Sequence, residues 1–282
     1  MHLTRDLQMM LKKALQIVLI ALPVTFAELW LLDFGVRLPR VEVVAQTVDE
    51  RKLEADRLFE EGIEQSRVSQ FGEALQLWQQ ALVIYREIGY RQGVARSLNN
   101  LANVYDSVAE YERAIDFYQQ SLAIFRDIEC REIEASSLNN LANVYKSLAE
   151  YERAIDFYQQ SLAISRNVGD RQGEAISLNS MGNAYGNLAE YEQAIDLSKQ
   201  SLAIFREIGH REGEAFSLNS LGNVYGNLAE YEQAIDLSKQ SLDIFREIGH
   251  REGEAFSLNS LGNVYGNLAE YEQAIDLYKQ SL

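Results

Sequence analysis

Residues 217–225 read SLNSLGNVY, and the same nine letters return forty residues later at 257–265. Looser copies begin at Ser97, Ser137 and Ser177. Leu218, Leu221 and Tyr225 are spaced at i, i+3 and i+7, which places them on one face of an α-helix. A fixed period of this length predicts an array of units, each of which buries its apolar face only against its neighbours.

Each unit is predicted to contain two helices. In the second unit, helix A spans about 92–108 and helix B about 110–128, because the apolar residues of both stretches follow a helical period. The joint between the two helices is short, so they must run antiparallel. The array covers 55–282, with units at 55–94, 95–134, 135–174, 175–214, 215–254 and a truncated last unit at 255–282.

The joints between units supply the predicted helix ends. Gly209 is placed to end helix B in a left-handed conformation. The second unit has no glycine there and reads Ile128-Glu129-Cys130, so we expect its helix B to run on, or its turn to be irregular. Proline does not occur after residue 39, and nothing in the repeats forbids helix on that ground.

Composition excludes several classes of function. The net charge of −16 argues against nucleic acid, whose phosphates require a basic surface. Cys130 is the only cysteine, so an intramolecular disulfide is excluded. His210 and His250 fall in the joints between units without a second ligand at metal spacing, so they are interpreted as turn residues. The sequence therefore predicts no cofactor, no metal and no catalytic activity.

The first 45 residues differ from the rest. Arg5, Lys12 and Lys13 precede an apolar run at 14–26, which is the plan of a signal peptide. The run is shorter than a membrane span requires. Export to the periplasm or cell envelope is favoured; an uncleaved signal anchor and a cytosolic protein are the alternatives. Only this segment is expected to touch a membrane, and 46–54 is interpreted as a polar connector.

The repeat resembles a known family. The positions that carry the resemblance are Leu218, Leu221-Gly222, Tyr225, Tyr231, Ala234 and Ser241-Leu242, which are similar to the tetratricopeptide pattern. Leu218 stands where that pattern has tryptophan, Ala229 replaces a common glycine, and the terminal proline is missing. The resemblance covers 55–282 and implies an all-α, right-handed superhelical solenoid of antiparallel helix pairs.

Two narrower resemblances bear on function. The sequence LNNLANVY is most similar to those of kinesin light chains and spindle-orientation adaptors, whose tetratricopeptide arrays bind extended peptides. The leader and first unit resemble bacterial exported arrays that often precede a caspase-like peptidase domain. No such domain occurs in this sequence.

A ladder of asparagines is the candidate site. The ten residues are Asn99, Asn103, Asn139, Asn143, Asn179, Asn183, Asn219, Asn223, Asn259 and Asn263. The resemblance places helix A, and hence this ladder, in a concave groove. An amide offers both donors and an acceptor, so a row of amides can pair with the main chain of an extended peptide. The alternative is that these amides bond to neighbouring helices or to water.

Two further alternatives concern Phe216 and Phe256. Helix B carries Ser198 and Ser238 where earlier units have a large aromatic residue. The phenylalanines of the following helices therefore either fill the space that a tyrosine takes elsewhere, or form an apolar anchor for a ligand in the groove.

The resulting function is a non-catalytic scaffold that binds a protein or an extended peptide in the groove. The alternative function is the sensor half of a larger protein whose enzymatic domain lies beyond residue 282 or was lost. The last unit lacks a polar capping helix, so that end is expected to be continued by further chain, capped by a partner, or self-associated.

Overall fold

The computed structural model describes residues 47–282, so the predicted signal peptide or anchor at 1–45 lies outside the described residues. Helix α1 begins at Val48, which makes most of the predicted connector helical. The reason is a capping box: the Thr47 hydroxyl accepts from the Glu50 amide, and the Glu50 carboxylate accepts from the Thr47 amide.

Residues 47–282 form helices joined by short turns and contain no strand. The helices are α1 (Val48–Arg67), α2 (Phe71–Glu87), α3 (Arg91–Ser107), α4 (Tyr111–Asp127), α5 (Arg131–Ser147), α6 (Tyr151–Val168), α7 (Arg171–Asn187), α8 (Tyr191–Glu207), α9 (Arg211–Asn227), α10 (Tyr231–Ile248), α11 (Arg251–Asn267) and α12 (Tyr271–Gln280). We call the odd-numbered members first helices and the even-numbered members second helices. The predicted all-α solenoid of antiparallel helix pairs is confirmed.

The helices are not equivalent in their neighbours. From α3 onward each first helix packs against the next first helix as well as against the second helices on either side of it. Within the described residues, the second helices make no such contact with one another. The first helices are therefore closer together and line the inner, concave side of the stack, while the second helices form its outer side.

Leucines of the first helices form the centre of the stack. Leu98, Leu138, Leu178, Leu218 and Leu258 are each exposed by no more than 2%. Full burial of such a side chain stabilises a fold by about 2 kcal/mol. The period read in the sequence thus places one buried leucine at the equivalent point of successive units.

A small residue allows α7 to cross α8 closely. A Cβ on Gly182 would lie 2.6 Å from Ser198 Oγ and 3.1 Å from the carbonyl oxygen of Ala194. Gly222 repeats this relation, at 2.7 Å from Ser238 Oγ. A side chain larger than alanine, which the second and third units carry here as Ala102 and Ala142, would push the two helices apart and open a cavity in the core.

A buried serine seam also holds the helices together. Ser161 Oγ donates to the carbonyl oxygen of Ala135 within its own unit, at 2.8 Å, and lies 3.1 Å from Ser177 Oγ in the next unit. Ser201 and Ser241 make the equivalent pair of contacts. The seam links neighbouring units by polar contacts in an otherwise apolar interior, where an unpaired hydroxyl would be costly.

The joints between units take a left-handed residue. Gly209 has φ 70°, which confirms the predicted helix end. The expectation for the second unit was wrong: α4 ends at Asp127, and Glu129 adopts the same conformation at φ 56°. The Cys130 amide donates to the carbonyl of Phe125 at 3.0 Å. That bond closes a regular turn although glutamate is strained in it.

The joints within units also use a left-handed residue, and it is not glycine. The residues are Ala109, Ala149, Ala189, Ala229 and Ala269, with φ between 58° and 60°. An L-residue in this region costs roughly 1–2 kcal/mol. The alanine that replaces the common glycine of the family pattern is therefore a point of backbone strain in five successive units.

Charged residues tie the units together on the outside. The Glu214 carboxylate accepts from Arg206 Nε at 2.9 Å and from Arg211 Nη1 at 2.5 Å. Arg211 also reaches Glu247 of the next unit at 2.6 Å. Burial opposes ionisation of Glu214, but the hydrogen bonds from both arginines outweigh it and lower the pKa of that carboxyl.

Candidate functional site

The inner side of the stack carries two adjoining depressions, which together we call the asparagine groove. One part, of about 310 Å³, is lined by Lys146, Asn179, Asn183, Gly186, Asn187, Phe216, Ser220, Asn223, Val224, Asn227 and Phe256. A second part, of about 250 Å³, is lined by Asn223, Gly226, Asn227, Phe256, Asn259, Ser260, Asn263, Val264 and Asn267. The two parts share Asn223, Asn227 and Phe256, so they adjoin each other along α7, α9 and α11.

The first asparagine of each predicted pair lies mostly between neighbouring helices. Asn99 accepts from Ser137 Oγ at 2.8 Å. Asn139 is buried and donates to Ser161 and Ser177 at 3.0 and 2.8 Å. At these positions the amides connect successive units, as the alternative interpretation expected.

The three later members of this set differ among themselves. Asn219 is fully buried and donates to Ser260 Oγ at 3.2 Å. Asn259 lies exposed on α11 and accepts from Ser281 at 2.9 Å. Asn179 is half-buried and lines the larger part of the groove, and its Oδ1 has no hydrogen-bond partner within residues 47–282.

The second asparagine of each pair faces the inner side, but its neighbours vary. The Tyr118 hydroxyl donates to Asn103 Oδ1, and the Tyr158 hydroxyl to Asn143 Oδ1 at 2.6 Å. Burial raises the pKa of both tyrosines, so each hydroxyl keeps its proton and remains a donor. The Tyr278 hydroxyl makes the same bond to Asn263 at 2.7 Å.

Asn183 and Asn223 are the exceptions. The equivalent residues of their second helices are Ser198 and Ser238, whose side chains do not reach the amides. Asn183 is half-buried and Asn223 exposed in the groove, and neither side chain is hydrogen-bonded to another residue of 47–282. These two amides therefore present two donors and a carbonyl oxygen to the groove.

The sequence analysis missed a third column of asparagines. Asn187, Asn227 and Asn267 lie one further helical turn along the same first helices and line the groove. The sequence shows these asparagines as a Gly-Asn pair that recurs every forty residues in the last three units. In the second and third units Ser107 and Ser147 stand in place of the asparagine. The candidate site thus extends four residues beyond the predicted ladder.

The glycines beside this column leave room at the base of the groove. A Cβ on Gly186 would meet Val224 Cγ2 at 3.6 Å, and one on Gly226 would meet Val264 Cγ2 at 3.5 Å. Both distances are ordinary van der Waals contacts, so packing does not require glycine at either position. Gly186 is half-buried, whereas Gly226 is buried, so of these two glycines only Gly186 leaves backbone accessible from the groove.

Aromatic rings form the apolar part of the site. The Phe216 ring lies 4.9 Å from Phe245 and 6.3 Å from Phe256, centroid to centroid. Phe256 is 46% exposed. Ser198 instead packs against Gly182 of its own unit. Phe216 and Phe256 both line the groove, where the apolar-anchor interpretation expects them.

The groove is almost uncharged. Among the described residues that line it, only Lys146 carries a charge. Burial lowers the pKa of Lys146, partly offset by Asp106 one unit earlier, and burial also raises the pKa of Asp106. A ligand that lies over Asn183 to Asn267 would therefore meet neutral amides and two phenylalanines, although the chain as a whole is strongly acidic.

His210 and His250 cap the N-terminal ends of α9 and α11. His210 Nδ1 accepts from the Gly213 amide at 2.9 Å, and His250 Nδ1 from the Gly253 amide at 2.8 Å. Asp170 caps α7 in the same way. Residues 47–282 contain no group of histidine, cysteine or acidic residues that could hold a metal ion.

Comparison with known proteins identifies the family. The tetratricopeptide repeat model matches residues 54–127, 133–207 and 213–282. The chain therefore belongs to the tetratricopeptide repeat family. No curated protein shows detectable sequence similarity to it. None of the helices in the described part of the chain has the length and apolar character that crossing a membrane requires.

Several solved structures share the fold. Aspartyl phosphate phosphatase F from Bacillus subtilis has a TM-score of 0.67 and 15% identity, covering 84% of this chain and 71% of that chain. A Rap protein complexed with competence and sporulation factor has a TM-score of 0.66 and 17% identity, covering 81% and 74%. Kinesin light chain TPR-like repeats from Podospora anserina have a TM-score of 0.52 and 21% identity, covering 66% and 92%. These identities establish a common fold and no more.

Proposed function

We propose that the protein is a non-catalytic interaction scaffold whose asparagine groove binds an extended segment of another protein. The observation that carries the proposal is the set of unpartnered amides at Asn183 and Asn223, which line the same depression as Asn187 and Asn227. Each amide can donate to a peptide C=O and accept from a peptide N–H. Because both groups belong to the ligand's main chain, such pairing holds an extended segment whatever its side chains are.

Two features support a peptide as the ligand. The exposed ring of Phe256 between the two parts of the groove offers a contact for one apolar side chain. The partly exposed backbone at Gly186 lets a ligand main chain approach α7 closely. The Rap structure with its bound factor is in keeping with a ligand of this kind, although its likeness to this chain is one of fold.

The experiment uses a phage-displayed library of random dodecapeptides, from which the wild-type chain selects binders. The double variant Asn183→Ala/Asn223→Ala should then weaken binding of a selected peptide by about tenfold or more, since each amide contributes roughly 1 kcal/mol. Asn167→Ala is the matched control, because Asn167 lies exposed on second helix α6.

Circular dichroism should show unchanged helicity in both variants. The proposal fails if the wild-type chain retains no peptide, or if the double variant binds as the wild type does.

We also propose that the array works outside the cytoplasm, on the basis of the charged and apolar pattern of residues 1–45. Fractionation of cells that express the full chain tests this. Recovery in the cytosolic fraction would contradict it.

A further inference from the structure

One position on the second helices separates the units into two kinds. Tyr118, Tyr158 and Tyr278 occupy it in the second, third and sixth units, and each hydroxyl donates to the carbonyl oxygen of the second asparagine of its own unit. Ser198 and Ser238 occupy it in the fourth and fifth units. Both serine hydroxyls are fully buried and have no hydrogen-bond partner among the described residues.

The fifth and sixth units provide a natural comparison. Residues 211–242 and 251–282 are identical except at Ser238 and Tyr278. In the sixth unit the tyrosine hydroxyl lies 2.7 Å from Asn263 Oδ1. In the fifth unit Asn223 is exposed in the groove with no side-chain partner among residues 47–282. The residue at this one position therefore determines whether the asparagine amide of an otherwise identical unit is hydrogen-bonded.

The helix pair accommodates either residue. A Cβ on Gly222 would lie 2.7 Å from Ser238 Oγ, and one on Gly262 would lie 2.6 Å from the Tyr278 ring. The first-helix glycine is thus in close contact with the small side chain in one unit and with the large one in the other. An exchange between the two is compatible with the same surrounding sequence.

We propose that this second-helix position determines which units of the array bind the ligand. A tyrosine there holds the asparagine amide in a hydrogen bond, and a serine leaves the amide free to pair with the ligand. Ser198 and Ser238 thereby confine the binding section to the fourth and fifth units, between Asn183 and Asn227. The inference rests on the proposed function and names the kind of partner, an uncharged extended segment with one apolar side chain at Phe216 and Phe256.

The tyrosine–asparagine hydrogen bond is expected to weaken ligand binding for a geometric reason. A tyrosine hydroxyl that donates to Oδ1 occupies one of its two lone pairs and fixes the plane of the amide. A ligand N–H must then compete with that bond or accept a poorer geometry. A released amide can turn to meet both the N–H and the C=O of one ligand peptide unit.

The test uses a peptide selected by the wild-type chain from the dodecapeptide library, titrated by fluorescence anisotropy. Ser238→Tyr should weaken its binding about fivefold, the equivalent of one hydrogen bond. Ser238→Phe is the matched control, since it adds the ring without the hydroxyl and should bind at least threefold more tightly than Ser238→Tyr. Tyr278→Ser is the reverse variant and should strengthen the binding of peptides long enough to reach Asn263.

Thermal melting shows whether each variant is folded. If Ser238→Tyr does not fold, Tyr278→Ser decides alone, because Tyr278 is on the last helix and partly exposed. The inference is overturned if Ser238→Tyr or Tyr278→Ser, correctly folded, binds as the wild type does while Asn223→Ala weakens binding. If Asn183→Ala/Asn223→Ala also binds normally, the proposed function itself has failed.

Discussion

Asn219 and Asn223 lie one turn apart on α9, and the structure gives them opposite surroundings. Asn219 is fully buried and bonded to Ser260, whereas Asn223 is exposed in the groove without a protein partner among the described residues. The two asparagines look equivalent in the sequence, but Asn219 belongs to the packed interior and Asn223 to the surface of the groove. Four residues advance a helix by slightly more than one turn, and that rotation carries the second amide away from the neighbouring unit.

This difference predicts opposite results for two alanine substitutions. Asn219→Ala should lower the free energy of unfolding by about 1 kcal/mol, because it removes a buried hydrogen bond and leaves a void. Asn223→Ala should change it by less than about 0.5 kcal/mol, as is usual for a surface site. Urea unfolding measures both. Equal losses in the two variants would contradict the assignment.

The left-handed alanines give a second prediction at the residue scale. Ala149→Gly should raise the free energy of unfolding by about 0.5–1 kcal/mol, because it relieves strain at φ 58° that exceeds the entropic cost of glycine. Ala163→Gly, at an exposed position inside α6, is the control and should lower it by about 1 kcal/mol. A loss of stability in both variants would show that the turn is not strained.

At the scale of helices, most of the architecture could be predicted from the sequence. The predicted helices of the second unit agree with α3 and α4 to within a residue, since apolar period and turn length are local signals. The turn at Glu129 was mispredicted because hydrogen bonds across the helix end, and not the residue alone, decide its geometry. The tyrosine–asparagine bonds join residues fifteen apart on two helices, so no sequence period reveals them.

The charged contacts between helices predict a dependence on pH. Arg206 and Arg211 lower the folded pKa of Glu214 below its usual value of about 4.5. The resulting stability is present above that value and is lost as the pH falls through the lowered pKa, because the unfolded chain then binds more protons. The loss is about 1 kcal/mol at most, since both guanidinium groups are about half exposed.

Glu214→Gln should reduce this acid-dependent part of the unfolding free energy, measured by urea unfolding at pH 7 and pH 4. Glu60→Gln, on an exposed face of α1, is the control and should leave the pH dependence as it is. An identical pH profile for Glu214→Gln and wild type would contradict the role given to the two arginines.

At the scale of the whole molecule, the stack has contacts only between adjacent units, so its length is adjustable. Deletion of residues 215–254 removes one unit and restores the sequence REGEAFSLNS at the junction. The shortened chain should fold, with a urea m-value lower by about a sixth, and should bind the selected peptides more weakly because Asn223 is gone. A chain that unfolds altogether would contradict the additive description of the stack.

The central claim is that the groove amides of the fourth and fifth units contact the ligand. The most direct measurement is NMR of the side-chain amide resonances, with the ¹⁵N-labelled full chain titrated with a selected peptide. The account predicts shifts at Asn183, Asn223 and Asn227, with much smaller changes at Asn139 in the core and at Asn167 on the outer side. Saturable binding that leaves the three groove amides unshifted, or that shifts Asn167 instead, would contradict it.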